Sequence, residues 1–301
     1  MSNAQARTWT RLDLLNWTKG FFERKGVPAA RLEAELLLAH ALNCPRIKLY
    51  ADFDKAVEGA PLDTYRALVK RRGDTREPLQ YLTGETEFLG LKIKCSRAAL
   101  IPRPETEELG EWALARLKEI SGEALRVLDI GTGTGCLAFA LASREARAQV
   151  TATDLSAEAL ALAKENAVAL EISEPRVAFA AGDLFGALDP ACKDSFDLIV
   201  SNPPYIDPEL RPTLAPEVRE HEPASALFAP EKGLAVIARL VAEAPVWLKE
   251  GGWLGIEISP EQAGAVKAQL EAAKAYESIE ILKDLDKHER FALGRRCQKS
   301  S

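Results

Sequence analysis

The sequence predicts an α/β protein: a mainly parallel sheet with helices on both faces and an antiparallel pair at one end, preceded by a small helical bundle. Three observations predict it. From Ala124 onward, short β-rich runs alternate with segments of helical periodicity, the pattern of a parallel sheet whose crossovers are helices. The first 90 residues instead carry amphipathic helical stretches joined by short connections. Charge divides in the same way. Residues 1–90 hold 14 basic and 12 acidic side chains and the remaining 211 hold 25 and 33, so a near-neutral body precedes an acidic one.

In chain order, RLDLLNWTKGFFERKG places Leu12, Leu15, Trp17, Phe21 and Phe22 near one helical face, and Gly26 ends the helix. A second helix opens at Pro28, a first-turn position, and runs through RLEAELLLAHAL. A third spans Leu62 to about Arg72 and ends before Gly73. Its basic cluster, Arg66, Lys70, Arg71, Arg72 and Arg76, reads either as a solvated face or as a docking patch for RNA or an acidic protein surface. The stretch EPLQYLTGETEFLGLKIKCSRAALIPRPETE alternates about Leu89-Gly90, as a hairpin would. Pro102 and Pro104 then precede a helix from Glu105 to Ile120. RVLDI, AQVTAT, RVAFAA, FDLIVS and GWLGIEI are the next strands, and ESIEILKDL with ERFALGRR makes the closing antiparallel pair. The boundaries expected are a helical bundle over 1–76 that recognises substrate, a hairpin linker over 77–103 and a catalytic sheet domain over 104–301.

Composition narrows the function. The chain has 301 residues, 47% hydrophobic and 28% charged, with a net charge of -6, a soluble globular balance. No run approaches the roughly 18 apolar residues of a spanning helix, and the start MSNAQARTWT lacks the apolar core of an export signal. Five scattered cysteines and three distant histidines (His40, His221, His288) form neither a disulfide framework nor a metal-ligand pattern, so no metal is expected. A reducing cytoplasm, no membrane and no stable nucleic-acid binding are the expectations.

The first strand of the α/β region runs into Gly131-Thr132-Gly133-Thr134-Gly135-Cys136 and then a helix. Alternate glycines let the backbone approach a ligand closely and present bare N–H groups at a helix start. A dinucleotide fingerprint needs glycine at position 136, which is Cys136, and a P-loop needs a lysine that is absent. The spacing favours the turn of enzymes that use S-adenosylmethionine. Asp154, 19 residues after Gly135 at the end of the second strand, is placed to accept both ribose hydroxyls, or else to cap the helix that follows. After the third strand, Asp183 can take the adenine amine and Leu184 can cover the ring.

The fourth strand is followed at once by Asn202-Pro203-Pro204-Tyr205. In an open parallel sheet this is the carboxyl edge, where ligands bind. An amide or aromatic NH2 is a poor nucleophile because its lone pair is delocalised. The Asn202 side-chain oxygen and the Pro203 carbonyl can each accept one N–H from it and stabilise the charge that develops on methylation, about 3 kcal/mol per well-placed partner by analogy with oxyanion-hole donors. Tyr205 offers a wall for a flat group. No dedicated base is required, since nitrogen becomes acidic once alkylated.

On these motifs, together with LEAELLLAHAL, EPLQYLTG, IPRPETEEL and the closing KDL…ER.ALGRR pattern, the chain resembles the HemK-type protein-(glutamine-N5) methyltransferases that act on peptide chain release factors. The resemblance implies a class I S-adenosylmethionine-dependent methyltransferase fold, Rossmann-like with seven strands, and methyl transfer to the glutamine of a Gly-Gly-Gln motif. It places S-adenosylmethionine on Gly131, Thr132, Gly133, Thr134, Gly135 and Asp154, and the glutamine on Asn202, Pro203, Pro204 and Tyr205. Release factors are the implied partners, and a monomer is expected. One departure is EPASALFAPEKGL, where Phe228, Ala229 and Pro230 replace a glycine pair usual in the family. Rival readings are a glutamine methyltransferase of a large-subunit ribosomal protein and an adenine-N6 DNA or RNA methyltransferase. Arg103-Pro104-Glu105-Thr106-Glu107 looks more like the release-factor branch, and the acidic catalytic part disfavours nucleic acid.

Overall fold

A computed structural model describes residues 8–298. The N-terminal residues that bear on an export signal therefore fall largely outside the described part. The chain divides into two compact units, one of residues 1–84 with 215–221, the other of 85–214 with 222–301.

The first unit is helical: α1 (Arg11–Arg24), α2 (Ala30–Ala41), α3 (Ile47–Ala51), α4 (Gly59–Thr75) and α5 (Leu79–Thr83). Thr10 and Asp13 form a reciprocal capping box that opens α1, and Gly26 at φ +68° follows its end. The buried stripe of α1 is Leu14, Leu15, Thr18 and Phe22. Leu12 and Trp17, expected on that face, are 41% and 51% exposed. α4 also runs through Gly73 rather than stopping before it. A Cβ there would lie 2.2 Å from the Phe21 ring, so this glycine is a notch for an aromatic side chain and not a helix terminator.

The basic cluster of α4 is largely turned to internal pairing. Arg72 is 2% exposed; its Nη2 donates to Glu33 Oε1 at 2.9 Å and its Nη1 to Glu217 Oε1 at 2.9 Å. Arg76 Nε reaches the same Glu217 oxygen at 2.9 Å, and Arg71 makes a bidentate pair with Glu77. Only Arg66 and Lys70 of the cluster carry no ion pair among the described residues.

The second unit begins with the antiparallel hairpin β1 (Glu85–Phe88) and β2 (Leu91–Lys94). It continues through α6 (Pro104–Glu119), β3 (Leu125–Ile130), α7 (Cys136–Arg144), β4 (Ala148–Asp154), α8 (Ala157–Ala169), β5 (Val177–Ala181) and β6 (Phe196–Ser201). After α9 (Pro216–His221), which belongs to the first unit, come α10 (Ala235–Trp247), β7 (Leu248–Glu257), α11 (Ala263–Ala272), β8 (Tyr276–Lys283) and β9 (Glu289–Arg296). The strands form one seven-stranded sheet in the order β5-β4-β3-β6-β7-β9-β8, parallel from β5 to β7, with β9 antiparallel to both neighbours. This is the class I methyltransferase arrangement expected from the sequence.

Each face of the sheet carries its own core, as the alternation of side chains along a strand requires. Val127 of β3 joins Leu109, Leu137 and Phe139 on one face, and its neighbour Leu128 joins Ile199, Leu240 and Val266 on the other. Strand order reverses between β3 and β6, so a crevice opens at their carboxyl ends. Register then brings three distant segments together: Ile130 pairs with both Thr153 and Ser201, whose next residues are Gly131, Asp154 and Asn202.

Candidate active site

The turn after β3 holds Gly131, Gly133 and Gly135 at φ +73°, +56° and +82°, a conformation that favours glycine. It is stitched to the neighbouring strand, since Gly131 N and Thr132 N both donate to Thr153 O, at 2.8 and 2.9 Å. Gly135 is the N-cap of α7; a Cβ there would lie 2.2 Å from the Phe139 ring.

Asp154 sits at the tip of β4 with both carboxylate oxygens engaged. Oδ2 accepts from Gly133 N at 2.9 Å and Oδ1 from Ser156 N at 2.8 Å. Cap of the following turn and ligand for a hydroxyl pair are therefore compatible roles, because a carboxylate accepts about four hydrogen bonds and two are used. Beneath the turn, Asp129 accepts from Thr132 Oγ1 at 2.6 Å. Burial pushes its carboxyl up to about 7, against the pull of the Thr132 hydroxyl and with a further push from Asp154.

These residues line a cavity of about 340 Å³. Gly131, Thr132, Gly133, Thr134 and Asp154 form one side, Asp183 and Leu184 another, and Asn202 and Pro204 the end. Gly135, Pro203 and Tyr205 are not part of its lining. The size and donor set fit a nucleoside: bare glycine backbone, a carboxylate at the second strand tip and apolar cover beyond it. Asp183 is not free to serve adenine alone, because Arg239 Nη1 donates to both of its oxygens at 3.0 and 2.9 Å. The pair is exposed and weak. Leu184 takes φ +49°, unusual for a leucine, at the cavity wall.

At the end of β6, Ser201 Oγ donates to Ile130 O at 2.7 Å and locks the two central tips together. Asn202 Nδ2 donates to Thr106 Oγ1 at 2.9 Å, and Pro203 is buried. Among the described residues, neither Asn202 Oδ1 nor the Pro203 carbonyl accepts a hydrogen bond. Tyr205 turns its hydroxyl to Glu257 Oε1 at 3.1 Å, and burial together with that carboxylate raises the phenol above its usual range. Its carbonyl accepts from Gln262 Nε2 at 2.8 Å, and a Cβ on Gly233 would stand 1.9 Å from it. The loop that carries Phe228, Ala229 and Pro230 thus packs directly on the end of the Asn-Pro-Pro-Tyr segment. Phe228 bridges to Ile206, and Ala229 is fully buried.

Sequence reasoning missed several of these parts. The strap 98–103 lines the cavity, and Glu222 holds it by accepting from Ile101 N at 3.2 Å and by pairing with Arg103. Thr106, Glu257 and Gly233 were also missed as partners of the Asn-Pro-Pro-Tyr segment. The run IPRPETEEL already marked Arg103 and Thr106 as characteristic, without saying what they touch.

The family profile described as PrmC N-terminal domain matches residues 13–84, and that described as methyltransferase small domain matches 112–216. A release factor glutamine methyltransferase of Rhodopirellula baltica is 43% identical over 285 residues, covering 94% of this chain and 95% of its own. One from Geobacter sulfurreducens is 45% identical over 258 residues, covering 86% and 87%. The crystal structure of a methyltransferase from Pyrococcus furiosus shares the fold with a TM-score of 0.50 at 20% identity, covering 69% of this chain and 90% of its own.

Proposed function

The chain belongs to the release factor glutamine methyltransferase family, and from that membership we propose that it methylates the side-chain amide nitrogen of the glutamine in the Gly-Gly-Gln motif of peptide chain release factors. The methyl donor in this reading is S-adenosylmethionine, which supplies a carbon made electrophilic by its sulfonium. The single observation that carries the reading is the open acceptor Asn202 Oδ1 at the end of a glycine-walled cavity, followed in the chain by a Pro203 carbonyl that accepts no hydrogen bond among the described residues.

This chain's residues then divide the work. Gly131 through Thr134 present backbone to the donor and Gly135 shapes the turn as the cap of α7, Asp154 takes the ribose hydroxyls, and Leu184 covers the adenine with Asp183 at its edge. Asn202 Oδ1 and Pro203 O receive the two N–H groups of the glutamine amide. That grip orients the nitrogen towards the donor and stabilises positive charge as it grows, which is electrostatic preorganisation. Pro204 completes the wall, and Tyr205 behind it is held by Glu257. The proton lost from nitrogen after transfer is acidic and needs no assigned base.

We assign 1–76 to recognition of the protein substrate, 77–103 to the linker and 104–301 to catalysis. Of the basic cluster, Arg66 and Lys70 are the cations left for a partner. The test is transfer of a tritiated methyl group to a panel of release factor, large-subunit ribosomal protein and DNA. Label is expected on the release factor alone; label on the ribosomal protein or DNA in its place would overturn the assignment.

A further inference from the structure

Asn202 can grip a substrate N–H only if its amide oxygen, not its NH2, faces the cavity. The two ends of a carboxamide are nearly the same shape, so a neighbour has to choose between them. The neighbour is Thr106. Asn202 Nδ2 donates to Thr106 Oγ1 at 2.9 Å, Thr106 Oγ1 donates to Glu257 Oε2 at 2.7 Å, and Tyr205 OH donates to Glu257 Oε1 at 3.1 Å. Thr106 and Glu257 are 4% and 1% exposed, so solvent does not compete for these bonds.

Polarity follows from chemistry. An ionised carboxylate only accepts, so the Thr106 hydroxyl must give it a hydrogen. Its oxygen is then left as an acceptor, which the Asn202 NH2 satisfies, and Oδ1 is turned to the cavity. We propose that Thr106 and Glu257 are positioning residues that fix which end of the Asn202 amide meets the substrate nitrogen. The proposal rests on the glutamine methylation argued above.

A proton on Glu257 reverses the logic. A protonated carboxyl can donate to Thr106, whose own hydrogen then points at Asn202 and favours the flipped amide. Burial pushes Glu257 up to about 7; the Thr106 and Tyr205 hydrogen bonds and Arg290 pull the other way, and Glu105 adds to the rise. Among the described residues, the charged and titratable groups that act on it are Glu105 on α6, Tyr205 after β6, and Arg290 on β9, itself paired with Asp284. Turnover should therefore fall as pH drops below about 7, while cofactor affinity holds.

The test uses the full chain with Thr106→Val, Thr106→Ser and Glu257→Gln. Thr106→Val lowers kcat by roughly tenfold to a hundredfold, as expected for a misplaced catalytic group, with cofactor affinity by calorimetry little changed. Thr106→Ser restores most of that loss. Glu257→Gln abolishes the acid limb of the kcat profile. Independently of any substrate, the Asn202 side-chain NH2 resonances, identified by their loss in Asn202→Ala, shift with a midpoint near pH 7 in the native protein and not in Glu257→Gln. A Thr106→Val enzyme as fast as wild type, an acid limb that survives in Glu257→Gln, or NH2 resonances that do not titrate would each overturn the relay. If the resonances titrate but wild type methylates no release factor, the relay stands and the glutamine reading falls.

Discussion

At the scale of single residues the proposed roles separate binding from chemistry. Asn202→Ala removes an acceptor used mainly as charge develops, so cofactor binding should persist while kcat falls by roughly a hundredfold to a thousandfold. Steady-state kinetics paired with calorimetry would check the split. Asp154→Ala removes a carboxylate already aimed by Gly133 N and Ser156 N, so calorimetry should show cofactor affinity reduced by roughly tenfold or more. Gly233→Ala tests an unexpected contact. Its methyl would collide with the Tyr205 carbonyl, and a turnover loss with an unfolding transition at lower urea is the expected outcome. Asn202 and Asp154 were legible because each directly follows a β-rich run. Thr106 and Glu257 were not, because their bonds join residues 96 and 151 positions apart, and only the folded sheet brings them together.

Among the elements, the strands of the second unit were easy to read and the helices of the first less so. A buried parallel strand announces itself as a run such as FDLIVS, whose six residues are all buried. The amphipathic face of α1 was misjudged because Trp17 is large and apolar yet half exposed, stacked on Phe21 instead of sunk in the core. Arg72 shows the same limit. In sequence it is one cation of a basic run; in the fold it is a buried guanidinium whose charge is held by Glu33 and Glu217, which raise its basicity against the cost of burial. Arg72→Ala leaves the Glu33 carboxylate facing a void, with Glu217 still held by Arg76, and should destabilise the helical unit by about 3 kcal/mol. Urea unfolding would measure it, and a loss under 1 kcal/mol would mean that the pair is structurally idle.

Across the whole molecule, activity and stability should respond to pH in opposite senses. The carboxyls of Asp129 and Glu257 are both pushed up to about 7 by burial. Between the ordinary carboxylate range and that value the folded protein keeps protons that the unfolded chain has released, so stability from these groups is full at the acid end and falls as pH rises. Glu145, held down to about 2 by Arg147, acts only on acidification below the ordinary range. Urea midpoints should therefore decline between about pH 5 and pH 8, and the decline should shrink in Glu257→Gln. Turnover should rise over the same interval as Glu257 ionises. On the proposed relay, the buried charge that aligns Asn202 should cost stability over the pH range in which turnover is expected to be highest.

The central claim is that Asn202 and Pro203 present their oxygens to a glutamine amide. Mass-spectrometric mapping of a release factor incubated with the enzyme and S-adenosylmethionine tests it most directly. The account predicts a single added methyl on the side-chain nitrogen of the Gly-Gly-Gln glutamine, absent when Asn202→Ala replaces the native enzyme. A methyl on any other residue, or an equal yield from a release factor whose glutamine is changed to alanine, would contradict it.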